Sequence, residues 1–403
     1  MTDLQSALEI IKNANLAALD PITIPLKNAL NCVLAHNFYA PDNDPKHRIS
    51  SMDGFAFNSK DLDLLQNSGL KISVIQKISQ KELLLKPQTC AQIFTGARLP
   101  NGADTIIINE HVKIIDDKIY ATKEPKPGTW IRQIGSSYQK GALLLKAKTI
   151  LSPYHIAFLS AHVKELQVLP RIKIGVLSIG DELNTKNPAF IADTNTPLIA
   201  LLAKEFGAEV RALKPIKDNP KILQKFIQKL LETSDLVVLC GGMSRGEFDV
   251  TRRVLNNLSD FGDFGDFEII LDGIHLKPGK ESMICINKSK NKAVLGLSGN
   301  PNAAGIGFYI LGGALIARFY DRPFVLDLMS AISQNDIAKT DSRLELRACN
   351  VTNQNGKLFA HFGDKNESFM LNNLCKNALA ILDKPSFAKN DEIMIIKHHI
   401  FRS

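Results

Sequence analysis

Residues 172–183 read IKIGVLSIGDEL, and this stretch decides the fold. The run 172–179 is apolar almost throughout, which suits a strand buried on both faces. A polar loop, GDELNTK, follows at once. TPLIALLAKEF (196–206) then has the composition of a helix, Gly207 stands where a helix C′ residue is expected, and AEVRAL (208–213) returns to strand. Asn219-Pro220 opens the helical PKILQKFIQKLLE (220–232). DLVVLC (235–240) is a second continuous apolar strand, running into GGMSRGEFD (241–249) and the helix VTRRVLNNL (250–258). SMICIN (282–287) and KAVLGL (292–297) add two strands before the loop SGNP (298–301). Strands alternating with helices in this way predict a multidomain α/β protein with a doubly wound, mostly parallel sheet. Ligands of such sheets lie beyond the carboxyl ends of the strands, at helix N-termini, which marks the loops after 179, 240 and 297.

Outward from this region, residues 1–50 read as helical, starting with an amphipathic helix on Leu4, Leu8 and Ile11, and turn irregular at PDNDPKHRISS (41–51). From about 51 to 131 the signal is β. It comes from KISVI, DTIIIN and a hairpin in which Asp116-Asp117 joins HVKII to KIYAT. Ser152 and Pro153 are an N-cap and N1 residue for a helix over 152–162. Beyond 323, RLELRACNV, KLFAH and EIMIIKH predict the strands of a small β domain. The most apolar stretch, AAGIGFYILGGALIARF (303–319), has roughly fifteen uncharged residues before Arg318, short of the ~20 that a bilayer span needs. A buried core helix is expected there, and a surface turn at FGDFGDF (261–267).

A chain of 403 residues exceeds one ordinary core, and about two to four domains are expected. Hydrophobic content of 45% and charged content of 22% are those of a globular protein. The formal charge is +8, but the 49 Lys and Arg are interleaved with 41 acids and form no concentrated basic block. No nucleic-acid footprint is therefore expected, while a diffuse positive field suits small anions. Six cysteines, at 32, 90, 240, 285, 349 and 375, show no CxxC or Cys/His pairing, which excludes the usual zinc and disulfide patterns. Reduced thiols in the cytoplasm are expected, since MTDLQSALEIIKNA lacks the apolar core of a signal peptide.

No nucleotide motif is intact. GIHLKPGKES (273–282) has five residues between Gly273 and Gly279, and Glu281 where a P-loop has Ser or Thr. The glycine-bearing loop at 241–246 stands between a buried strand and a helix, where backbone N–H groups can approach a phosphate. Asp249 follows, where a carboxylate can hold magnesium on those phosphates, and where it equally serves as an N-cap. Gly180-Asp181-Glu182 has the same strand-end position, and Asp218 lies on the next loop; each also reads as a turn or cap. Lys277 and Lys280 put two ammonium groups close together, as suits an oxyanion or an ordinary solvated loop. From the residues alone, these loops are compatible with a phosphorylated ligand and a divalent cation.

Taken in order, the loops resemble the molybdopterin molybdenumtransferase family. The matching segments are SSMDGFAF (50–57), IFTGARLPNGADTIIINE (93–110), IRQIGSS with Gly141, and VLSIGDEL (176–183). IADTNTPLIALLAKEFGAEV (191–210), CGGMSRGEFD (240–249), HLKPGK (275–280) and LSGNP (297–301) continue the match along most of the chain. The resemblance implies a linker domain from 1–50 and 132–168, an inserted β domain at 51–131, a doubly wound domain similar to molybdopterin adenylyltransferase at 169–322, and a small β barrel at 323–403. It implies a cytoplasmic homodimer that takes adenylylated molybdopterin and molybdate, hydrolyses the adenylate with Mg2+, and releases AMP. Molybdopterin adenylyltransferase is an implied partner, with nucleic acid and membrane not expected. Asp218 and Asp249 match the family's magnesium-binding acids, and Asp53, Thr95 and Glu182 match positions needed for activity, Asp53 reaching the cleft from the partner subunit. Gly241, Gly242 and Ser244 would cradle phosphate or pterin. Lys277 and Lys280 match lysines that hold molybdate, with Asn300 and Ser368 among the substrate-binding positions.

The chain also departs from the pattern. Glu281 replaces the last Pro of KPGKP, Ser298 and Ala303 replace a Pro and a Ser around the GNP loop, Ser137 replaces an acid, and Cys240 replaces a Ser. Glu281 either opposes the field of the two lysines, pairs with Lys280, or turns outward. A non-catalytic pterin-binding scaffold, or an enzyme for a related oxyanion such as tungstate, are the alternative expectations.

Overall fold

In the computed structural model, Lys173–Ser178, Leu236–Cys240 and Lys292–Leu297 pair in parallel at the centre of a six-stranded sheet. Its order is Glu209–Ala212, Lys173–Ser178, Leu236–Cys240, Lys292–Leu297, Met283–Asn287, Phe267–Asp272. The first four strands are parallel; Met283–Asn287 runs antiparallel to them, and Phe267–Asp272, antiparallel to Met283–Asn287, runs with them again. Leu236, Val238 and Cys240 pack into one apolar cluster while Val237 and Leu239 pack into another, so each face of the sheet has its own core. That is why the run carries no polar alternation: burying each Leu or Val contributes about 1.5–3 kcal/mol on either side. Helix Asn195–Glu205 covers one face and helix Pro220–Leu231 the other. Asn219 Oδ1 caps the latter by accepting from the Lys221 and Ile222 amides, and Gly207 ends the former with φ +81°.

Register shapes the edge of this sheet. Ser178 lies opposite Cys240, and Cys240 opposite Leu297, so the three strands finish level. The chain runs outward from Lys173–Ser178 to Glu209–Ala212 and then returns to the other side at Leu236–Cys240. In α/β sheets a ligand crevice forms at such a reversal of strand order.

The described residues are 1–76, 83–183, 191–244, 249–260, 265–363 and 376–397. They form two units, 1–35 with 150–403, and 36–149. In the first, the apolar stretch at 303–319 belongs to a continuous helix, Pro301–Phe319, 72% of whose apolar window is buried in the protein. It is a core helix. Leu328–Ser333, Leu344–Gln354, Lys357–His361, Ala378–Leu382 and Glu392–Lys397 close a five-stranded barrel around Ala331, Cys349, Ala360, Leu382 and Ile395. Leu276–Lys277 adds to it beside Leu344 and Glu345.

The helical expectation for 1–50 fails beyond its first turns. Leu4–Lys12 is the α-helix there, while Ile22–Pro25 and Val33–Leu34 are strands on either side of Glu165–Leu169. Their partners lie far along the chain, so no local period announces them. Ser152 caps helix Pro153–Ser160, with Pro153 at its start.

The second unit, 36–149, holds a mixed six-stranded sheet in the order Thr105–Ile108, Gly54–Phe57, Thr89–Ile93, Leu70–Gln76, Lys118–Ala121, Val112–Ile115. Phe55, Phe57 and Ile107 face one cluster, Ala56, Ala91 and Ile106 the other. The Asp116-Asp117 turn joins the last hairpin with φ +47° and +60°, the signature of a type I′ turn that matches strand twist. The turn expected at 261–267 falls partly outside the described residues.

Candidate active site

At the level edge of the parallel sheet, loops from separate strands meet. A methyl group on Gly241 would lie 2.1 Å from the Ile179 carbonyl oxygen, and Gly241 has φ +104°. Gly242, at φ +62°, is so close to Thr251 that a methyl group would lie 2.7 Å from its Oγ1. A methyl group on Gly299 would be 3.5 Å from Gly241 Cα, and the Asn195 side-chain amide donates to the Gly299 carbonyl at 2.7 Å. Glycine is required at 241 and 242, where φ is positive and neighbouring atoms leave no room for a side chain. The buried oxygens Asn195 Oδ1 and Thr251 Oγ1 have no hydrogen-bond partner among the described residues. Orphaned polar atoms beside a glycine-lined crevice suit a polar ligand.

The acids of this edge are paired with backbone. Asp181 N donates to Asp218 Oδ2 at 3.0 Å, and Asp218 N returns the bond to Asp181 Oδ1 at 3.3 Å. The Glu182 carboxylate folds back over Gly180, where a methyl group would lie 2.6 Å from it. Asp249 precedes helix Val250–Asn256 and accepts from the Ser244 hydroxyl. Among the described residues no three His, Cys, Asp or Glu side chains converge on a metal position. Hard carboxylate oxygens from one or two residues fit magnesium that takes its remaining ligands from water and phosphate. A closed cage they do not make.

Cys240 is wholly buried, and burial pushes its thiol pKa up, so it is a wall of the crevice and not a nucleophile. Cys32, Cys90, Cys285 and Cys349 are likewise buried and unbridged, and Cys375 lies outside the described residues. At 298–303, Ser298 Oγ accepts from the Asn300 amide and Asn300 Oδ1 accepts from Ala303 N, capping the core helix. Asn300 thus serves as a cap, and buried Ala303 presents no hydroxyl.

The two lysines do not stand open. Lys277 Nζ donates to Thr340 Oγ1 and lies 3.5 Å from Glu345 Oε2 and 3.8 Å from Asp341 Oδ2, all on the barrel. Glu345 is buried and also pairs with Arg347, and Arg343 hydrogen-bonds Asp341, holding that carboxyl well below the usual range. Lys280 Nζ lies 3.4 Å from Glu281 Oε1. Of the readings open for Glu281, pairing is the one observed. Its other oxygen meets Arg252 at 3.3 Å.

In the 36–149 unit, Gly54 and Ile93 face each other across an antiparallel pair, which brings Asp53 beside Thr95. Asp53 Oδ1 accepts from Thr95 N at 2.7 Å and from Thr95 Oγ1 at 2.8 Å. These bonds lower the pKa of the Asp53 carboxyl, the backbone bond most. Ser137 accepts a hydrogen bond from Arg132, whose nearby carboxylate is Asp44 at 3.7 Å. Ser368 lies outside the described residues, as do positions 245–248 of the glycine loop.

Sequence reasoning therefore found the edge residues but missed three things. Asp181 stood in the GDEL loop, but its pairing with Asp218 had no sequence signal. Arg252 read as an ordinary helix residue. The barrel acids around Lys277 are separated from it by more chain than any spacing rule spans.

Known proteins carry the same pattern. Residues 2–162 match the family described as the MoeA N-terminal region (domain I and II), and 175–317 the one described as a probable molybdopterin binding domain. A molybdopterin molybdenumtransferase of Haemophilus influenzae is 31% identical over 350 residues, which cover 83% of this chain and 82% of that protein. One of Nostoc sp. is 32% identical over 273 residues, covering 64% of this chain and 60% of the Nostoc protein, less than two thirds of its length. The structure of the molybdopterin biosynthesis MoeA protein from Pyrococcus horikosii shares the fold over 100% of both chains, with a TM-score of 0.82 at 24% identity.

Proposed function

The chain belongs to the molybdopterin molybdenumtransferase family of molybdenum cofactor biosynthesis, and we propose that its substrates are adenylylated molybdopterin and molybdate. The two dithiolene thiols replace an oxo ligand of molybdate, which leaves with their protons as water; water adds to phosphorus, a P–O bond of the pyrophosphate breaks, and AMP separates from the molybdenum-bearing pterin phosphate. The observation that carries this reading is the level end of three parallel strands, where glycines 241, 242 and 299 bring backbones together and carboxylates stand at the rim.

Gly241, Gly242 and Ser244 cradle phosphate or pterin with main-chain and hydroxyl groups. Asp218, braced by Asp181, and Asp249 would hold magnesium, which would supply positive charge against that developing on the pyrophosphate. Glu182 faces the same edge. Lys277 and Lys280 receive molybdate after exchanging their present carboxylate partners for it, and Asn300 and Ser368 are further substrate-binding positions. Asp53, fixed as a carboxylate by Thr95, enters the cleft of a second subunit in a cytoplasmic homodimer. Molybdopterin adenylyltransferase is the source of the adenylylated substrate.

The test incubates the full chain with adenylylated molybdopterin, with and without magnesium and molybdate, and measures AMP. Release that needs magnesium and responds to molybdate is the expected result. Binding without release would make the chain a pterin-holding scaffold.

A further inference from the structure

Arg252 lies in the helix Val250–Asn256 behind the glycine loop, and its guanidinium ties three segments together. Nε donates to the Met243 carbonyl at 3.2 Å, Nη1 meets the Asp272 carboxylate, and Nη2 reaches the Glu281 carbonyl at 3.5 Å and its Oε2 at 3.3 Å. The Arg252 side chain is 11% exposed and that of Glu281 21%, so salt and water screen this pair weakly. Glu281 Oε1 lies 3.4 Å from Lys280 Nζ, and Lys280 is 40% exposed. One carboxylate is thus divided between a largely buried arginine and a partly exposed lysine.

We propose that Arg252 is a positioning residue for oxyanion capture: it draws Glu281 inward and so sets how much of the Lys280 charge is left for the anion. The inference rests on the reading of 277–280 as the oxyanion loop. Withdrawing the guanidinium makes Glu281 bear more heavily on Lys280, and a dianion then competes against a stronger internal partner. Because Arg252 also holds Met243, the loop that grips phosphate and the loop that grips the oxyanion share one brace. The hydrogen bonds to Met243 and Asp272 give Arg252 a structural role as well, and the test must separate the two.

Calorimetric titration of the full chain with molybdate reads the effect without turnover. Arg252→Gln should raise the molybdate dissociation constant about five-fold, and Glu281→Gln should lower it. In a Glu281→Gln background, Arg252→Gln should change it less than about two-fold, because the carboxylate that transmits the effect is gone. Thermal unfolding of each variant checks the fold. If Arg252→Gln does not fold, Arg252→Lys, which keeps a cation beside Glu281, should bind molybdate within about two-fold of wild type. A five-fold loss that persists unchanged in the Glu281→Gln background would overturn the proposal, since Arg252 would then act through packing. So would an Arg252→Lys variant that folds and still loses the full five-fold. A wild-type chain that binds no molybdate would instead fail the oxyanion-loop reading beneath it.

Discussion

The glycine edge and the lysine loop lie in one domain, yet they meet a ligand in opposite ways. At the edge, Gly241 and Gly242 turn the main chain toward the crevice with positive φ, and the Asp181–Asp218 exchange of hydrogen bonds fixes the rim. Gly241 N is already used by the Leu297 carbonyl at 3.1 Å, so a ligand would meet the other backbone and side-chain groups of this edge. In the lysine loop, Lys277 is held by Asp341 and Glu345, and Lys280 by Glu281. An anion arriving there must compete with carboxylates, and partly exposed pairs of this kind are worth roughly 0.2–1 kcal/mol each. The departures divide in the same way: Cys240 alters a buried wall, whereas Glu281 alters charge. On the proposed function, the comparison teaches that the oxyanion loop is the more constrained half of the site.

The largest expected effect tests the edge. Gly241→Ala puts a methyl group 2.1 Å from the Ile179 carbonyl oxygen at φ +104°, which no side chain can flex away from. A loss of about 3 kcal/mol or more of stability is expected, with AMP release abolished. Gly279, at φ +111°, has its nearest such contact at 3.9 Å, so Gly279→Ala should cost only about 1–2 kcal/mol. Denaturant unfolding of the two variants compares the regions directly; equal losses would break the contrast.

Next comes Asp249→Asn, which should leave unfolding unchanged but cut AMP release about 100-fold, or about 3 kcal/mol, if its charge supports magnesium on the pyrophosphate. Mixed with Asp53→Ala subunits it should regain activity, because one cleft of a heterodimer escapes both changes. Heterodimers that form and remain inactive would remove Asp53 from the partner's cleft.

How much of the molecule was legible in the sequence depends on how far each interaction reaches. Apolar runs at 172–179 and 235–240 announced a sheet buried on both faces, and Asn219-Pro220, Gly207 and Ser152 announced helix ends, because caps act within a few residues. Ile22–Pro25 and Val33–Leu34 were invisible, since their partner strand is Glu165–Leu169. The site divides likewise. Glycines and acids at strand ends were found by position, but the seating of Lys277 against the barrel and of Glu281 between Lys280 and Arg252 is tertiary electrostatics.

A smaller effect separates Asp53 from the sheet edge. Thr95→Val removes one of the two bonds that lower the Asp53 pKa. The sign is fixed: a depressed carboxyl pKa favours the native state above the unfolded value, and that contribution is lost as pH falls through the folded value. In the variant the carboxyl pKa should move back up, the acid limb of the activity profile should shift to higher pH, and activity should fall by roughly ten-fold at most. NMR titration of Asp53 checks the shift; an unchanged pKa would show that the backbone bond alone sets it.

The smallest expected change bears most directly on the claim that the oxyanion loop is the constrained half of this site. AMP release is titrated with molybdate for the wild-type chain and for Glu281→Gln, which removes the charge and keeps the shape. The account predicts that the half-saturating molybdate concentration falls about five-fold, as about 1 kcal/mol of competition is relieved, while the maximal rate stays the same. A half-saturating concentration that does not move, or a change confined to the maximal rate, would contradict it.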